Sequence, residues 1–99
     1  MKSIIQHEKQ CIVCGSWNVE EHHLYKGTAK RKLSEQYGLK IFLCPTHHRG
    51  TNGVHGKNGH KLDLELKILG QKSFEYRYGT RDDFIRIFGK SYILEEEND

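Results

Sequence analysis

Two short hooks of metal-ligand residues constrain this chain more than any other feature. Cys11-x2-Cys14 is one, and Cys44-x2-His47 is the other, with 29 residues between them. Each hook offers two soft or borderline ligands one turn apart, and tetrahedral zinc takes four such ligands. A lone C-x-x-C is as well explained by two small core cysteines. Two hooks in one short chain point to a staple. The chain has 99 residues, 35% hydrophobic and 29% charged, with a mean hydropathy of -0.77. So small a domain has a limited core and often needs a metal to hold it. Three cysteines cannot all pair in disulfides within one chain, and no thioredoxin-like βαβ pattern surrounds the C-x-x-C, so a redox role is disfavoured. The hook residues Cys11, Cys14, Cys44 and His47 form the expected structural zinc site. His48, through C-x3-H spacing, is the alternative fourth ligand.

Along the chain, CIVCGSW reads as a tight knuckle closed by Gly15. Asn18 to Tyr25 reads as a short strand, and KIFL (Lys40 to Leu43) as a second. Between them Thr28 is placed as an N-cap, Ala29 to Tyr37 as a helix or basic loop, and Gly38 as a stop. Pro45 suits the first residue of a helical turn. RGTNGVHGKNG carries four glycines and reads as loop or broken helix. LDLELKI alternates like a strand, but Leu62, Leu66 and Leu69 share a helical face, so His60 to Tyr78 is read as one helix containing Gly70. Thr80 with Asp83 forms a capping-box pattern, ahead of a short helix that buries Phe84, Ile85, Ile87 and Phe88 and ends at Gly89. Trp17, Tyr25 and Tyr37 are expected in core or hairpin packing. The expectation is one zinc-stapled α+β domain over residues 1–94, with an acidic flexible tail at 95–99.

Five histidines remain after one zinc is satisfied: His22, His23, His48, His55 and His60. His7 stands apart as a surface residue. Successive residues on a helix point about 100° apart, so His47 and His48 do not readily bind one ion. Strand alternation would likewise send His22 and His23 to opposite faces unless they sit at a strand end or bend.

The order C-x2-C, then EEHH, then LCPTHH, then VH resembles the HNH or ββα-metal nucleases, in particular the phage-type branch typified by recombination-enhancement nucleases. The resemblance runs from about Cys11 to Gly56, and FEYRYG (Phe74 to Gly79) extends it more weakly. It implies a ββα-metal domain, here with added C-terminal helices, that hydrolyses DNA phosphodiester bonds to leave a 5′-phosphate and a 3′-hydroxyl. By residue, it implies that His22, His48 and His55 hold a catalytic ion and that His23 is the general base. The ion would be Mg²⁺, Mn²⁺, Ni²⁺ or Zn²⁺, with imidazole ligands leaning away from Mg²⁺. Two features depart from the pattern: Gly50 and Gly53 break a continuous helix after His48, so the usual ligand-bearing helix must be short, and one position is missing. The family's middle asparagine has no counterpart in QYGLKIFL, and Asn52 or His55 would have to serve.

Charge fits a phosphate-bearing partner. Residues 1–61 carry ten Lys/Arg against four Asp/Glu and hold all seven histidines, whereas residues 62–99 carry six against nine. Lys26, Lys30, Arg31 and Lys32 follow the histidine pair, and Arg49 follows His48. All five are candidates for gripping a DNA backbone, a contact that positions the substrate without reading its sequence. No signal peptide or membrane-length apolar run is evident, which leads to a cytoplasmic expectation, in the host cell if the gene is phage-borne. The rival reading keeps the zinc scaffold without catalysis, as a phage module that binds nucleic acid or a host protein.

Overall fold

The segments EEHH and KIFL pair as a small antiparallel sheet. In the computed structural model, which describes residues 1–94, β1 (Glu20–His23) pairs with β2 (Lys40–Leu43). The register sets Glu20 opposite Leu43 and His23 opposite Lys40. Between the strands lies α1 (Thr28–Tyr37), and after them come α2 (Pro45–Arg49), α3 (His60–Arg77) and α4 (Arg81–Phe88). The chain is thus a small α+β protein with a two-stranded sheet and four helices among the described residues. The tail expected at 95–99 lies outside them.

β1 is shorter than the strand expected from Asn18 to Tyr25. Leu24 still donates its backbone N–H to Leu39 O at 3.1 Å, but the chain then turns so that Leu24 and Tyr25 enter the core. Tyr25 meets Phe84 edge-on and packs at a tilt against Phe88 and Tyr92, and its hydroxyl donates to Lys67 O at 2.6 Å. The apparently weak glycine in α3 has its reason here. A Cβ on Gly70 would sit 2.5 Å from Leu24 Cδ1 and 2.7 Å from Tyr25 Oη. The glycine is a notch that admits β1's continuation.

Thr28 is the first residue of α1 rather than its cap. Gly27 holds that place at φ 94°, a turn direction that a threonine would adopt only under strain. In α4 the capping box is present in both directions: Asp83 N donates to Thr80 Oγ1 and Thr80 N donates to Asp83 Oδ2. Phe84 and Phe88, four residues apart, share the buried face. Ile87 packs beside them, while Ile85 is rotated off that face and stays exposed. Leu66 is buried in α3, with Leu62 and Leu69 flanking it. Tyr37 packs on Phe74, but Trp17 does not take the packing role expected of it. It is 68% exposed, because it precedes β1 and the four-residue strands do not reach it.

The N-terminal segment lies along β2. Phe42 N donates to Gln6 Oε1 at 2.7 Å, Ile12 N donates to Phe42 O at 3.0 Å, and Ile4 N donates to Gly38 O at 3.0 Å. This strap carries the first hook to the end of β2, where the second begins.

Candidate metal centres and catalytic cleft

The first hook is a turn closed by Gly15 N donating to Cys11 O and Cys11 N donating to Ser16 O, both at 2.8 Å, with Gly15 at φ 80°. The second hook starts where β2 ends. Cys44 precedes Pro45, and one helical turn brings His47 back beside it. Cys11, Cys14, Cys44 and His47 could hold a metal ion, since their donor atoms all lie within 4.8 Å of one another. The spacings are informative. Cys14 Sγ to Cys44 Sγ is 3.8 Å, Cys11 Sγ to His47 Nδ1 is 3.6 Å, and Cys44 Sγ to His47 Nδ1 is 3.2 Å. Zn–S bonds of about 2.3 Å at tetrahedral angles separate two sulfurs by about 3.8 Å. The cysteines are free, not disulfide-bonded. Burial alone would raise the Cys11 thiol, but the backbone N–H groups of Cys44, Cys14 and Val13 outweigh it and bring it to about 6. A lowered thiol pKa favours the thiolate that metals bind. Of the two alternative histidines, His47 is the one at the cysteines.

His48 faces elsewhere. With His22 and His55 it forms a second group whose donor atoms also lie within 4.8 Å of one another. Ring centroids are 5.2 Å apart for His22–His48, 5.2 Å for His22–His55 and 4.8 Å for His48–His55. Three elements supply them: β1, α2 and the glycine-rich loop. That loop does not disrupt the group; it folds back on α2. Val54 N donates to His47 O at 2.9 Å and His55 N donates to His48 O at 3.0 Å. Gly53 and Gly56 sit so close to neighbouring backbone that no side chain fits. The glycines therefore carry His55 back to His48.

His22 is 4% exposed, and its Nε2 has no hydrogen-bond partner. A buried, unpaired polar nitrogen is costly unless a ligand satisfies it. Burial, with the nearby His48 and His55 charges adding to it, holds the imidazole down to about 3, so it is neutral and able to donate a lone pair. Burial also lowers His55. His48 Nδ1 lies 2.7 Å from Glu20 Oε1, and the other Glu20 oxygen pairs with Arg49. The His48 hydrogen bond, with Arg49 adding to it, holds Glu20 below the usual carboxylate range. An ionised Glu20 fixes the proton on Nδ1 and leaves Nε2 as the donor atom, the outer-shell arrangement common at histidine metal sites.

A cleft of about 940 Å³ opens over this group, lined among others by His22, His23, His48 and His55. His23 is the last residue of β1, and there both members of the pair reach one cleft. His23 does not join the three-histidine group. Its Nε2 meets Glu35 Oε1 at 2.8 Å. Of the basic candidates, Lys26, Arg31 and Lys32 line the cleft, with Lys26 3.7 Å from Asp63 Oδ1. Lys30 and Arg49 do not line it, and Arg49 is engaged by Glu20. His60, Asn52 and His7 are exposed and belong to neither histidine–cysteine group.

Glu20, Glu35 and Lys40 also shape these groups, and the spacing of metal-ligand residues does not mark them. A signal existed for Glu20: period-two alternation in EEHH sets it on the His22 side of β1. Glu35 comes from α1, and nothing local ties it to His23. No family model, curated protein or solved structure gives a significant match to this chain.

Proposed function

We propose that this chain is a metal-dependent DNA endonuclease of the HNH (ββα-metal) type, with a separate structural zinc. The observation that carries the reading is the buried, unpartnered Nε2 of His22. It stands with two further imidazoles in the same basic cleft as His23. Zinc held by Cys11, Cys14, Cys44 and His47 would staple the N-terminal strap to the β2–α2 corner. The antiparallel pair β1–β2, with α1 inserted in its connection and α2 directly after it, supports the ββα-metal reading.

His22, His48 and His55 would hold the catalytic ion, which supplies Lewis acidity at the scissile phosphate and its leaving oxygen. Lys26, Arg31 and Lys32 draw the phosphate backbone into the cleft and hold it there. His23, with Nε2 engaged by Glu35, accepts a proton from the attacking water at Nδ1. The water oxygen bonds to phosphorus, the bond to the 3′ oxygen breaks, and that oxygen takes a proton from solvent, so the products are a 5′-phosphate and a 3′-hydroxyl.

The test is nicking of supercoiled plasmid by zinc-loaded protein with added Mg²⁺, Mn²⁺, Ni²⁺ or Zn²⁺. Nicking is expected, with a loss of at least about 100-fold in His23→Ala, the lower range for general-base removal. Wild-type protein that binds one zinc, takes up no second ion and cuts nothing would leave the non-catalytic zinc module in its place.

A further inference from the structure

Around His23 the chain builds a second polar assembly that the metal groups do not use. Glu35 Oε1 lies 2.8 Å from His23 Nε2. Lys40 Nζ donates to both Glu35 oxygens, at 2.9 and 3.1 Å, and lies 3.3 Å from Glu21 Oε2. The α-amino group of Met1 meets Glu35 Oε2 at 2.6 Å. The β-sheet register explains why Lys40 is there, since it lies directly across from His23. Its side chain is only 8% exposed, so the ammonium needs these carboxylates.

The donor atoms of Glu21, His23 and Glu35 are close enough to one another to hold an ion. Lys40 argues against that use, because its ammonium already lies among them and a second cation would meet like charge. The assembly is a clamp whose cation is built in. The α-amino group of Met1, His23 and Lys40 together hold the Glu35 carboxyl far below its usual range. It therefore stays charged wherever His23 works.

We propose that Glu35 is the positioning residue of His23: anchored by Lys40, its carboxylate holds the proton of the imidazole on Nε2 and leaves Nδ1 as the basic atom. Two physical effects follow. The hydrogen bond selects one tautomer and one ring orientation. The negative charge also stabilises the imidazolium formed when a proton arrives at Nδ1, which a neutral partner would do less well. The catalytic consequence rests on the nuclease reading, whereas the tautomer does not.

Both are measured on the zinc-loaded protein. Long-range ¹H–¹⁵N spectra of the imidazoles at neutral pH are expected to show His23 protonated on Nε2 only. Glu35→Ala is expected to give a mixture of tautomers. Glu35→Gln keeps the shape and an acceptor oxygen but not the charge. It is expected to lower kcat for plasmid nicking at least about 10-fold, with KM and Mn²⁺ affinity within twofold of wild type. A wild-type His23 protonated on Nδ1, or a Glu35→Gln enzyme with kcat within threefold of wild type, overturns the proposal. So does a kcat loss matched by an equal loss of Mn²⁺ affinity. Should Glu35→Ala not fold, the wild-type tautomer and the Gln variant decide. Should wild type cut nothing with any metal, the nuclease reading fails by itself and the spectra alone judge the clamp. An Nε2 proton lost to a mixture in Glu35→Ala sustains it, and a spectrum unchanged by that substitution overturns it.

Discussion

Glu20 shows how much of a candidate metal site lies outside its ligands. Its two oxygens are divided between His48 Nδ1 and Arg49, so one side chain sets the tautomer of one proposed ligand and immobilises the neighbouring cation. Arg49 is thereby tied to the scaffold, not aimed into the cleft. Replacing Glu20 by Gln should cost about 10- to 100-fold in affinity for the second ion, the usual effect of losing such a partner. Isothermal titration with Mn²⁺ into zinc-loaded protein measures it. The structural zinc should be retained, because the polar contacts of Glu20 go to His48 and Arg49.

At the scale of the element, Gly70 gives a case where propensity and packing predict opposite signs. In an exposed helix, Gly→Ala stabilises by about 1 kcal/mol. Within α3 the added methyl would press on Leu24 Cδ1 and Tyr25 Oη, both in the core. Overpacking of this kind costs about 1–3 kcal/mol, so Gly70→Ala should destabilise by about 0–2 kcal/mol net. A lowered urea midpoint with unchanged slope would show it. Gly70 also marks the limit of legibility. The α3 face of Leu62, Leu66 and Leu69, the Thr80–Asp83 box and the two hooks are written in local spacing, and each is readable from a few neighbouring residues. The notch at Gly70, the Glu35–His23 bond and the return of His55 to His48 are contacts between distant segments. No local period records them. The glycine-rich loop breaks the helix, as its glycines predict, but its close backbone packing on α2 emerges only in three dimensions. Charge was legible as a surplus but not as a surface. Lys26, Arg31 and Lys32 line the cleft while Lys30 and Arg49 do not, and the sequence ranks all five alike.

For the whole molecule, the four-residue group of Cys11, Cys14, Cys44 and His47 joins the strap to the β2–α2 corner. Its ion, on the zinc reading, should contribute strongly to folding, as metal affinity and folding are linked. Removing zinc with a strong chelator should lower the thermal midpoint by at least about 10 °C. Cys11→Ser should reproduce much of that loss without chelator, as followed by circular dichroism. An unshifted midpoint in both would mean that packing alone holds the corner.

The union of Tyr25 with the C-terminal helices has a wider consequence. Tyr25 begins two residues after His23, yet it is buried among Phe84, Phe88 and Tyr92, and its hydroxyl is tied to α3. The aim of the β1 terminus is thus fixed by residues beyond Gly56, outside the segment that carries both histidine–cysteine groups. The cysteine–histidine segment is not a portable cassette. Grafted alone into another protein, Cys11 to Gly56 would carry its ligands but lose the wall that points them. In this chain, the helices that carry none of the candidate ligands act as the site's foundation.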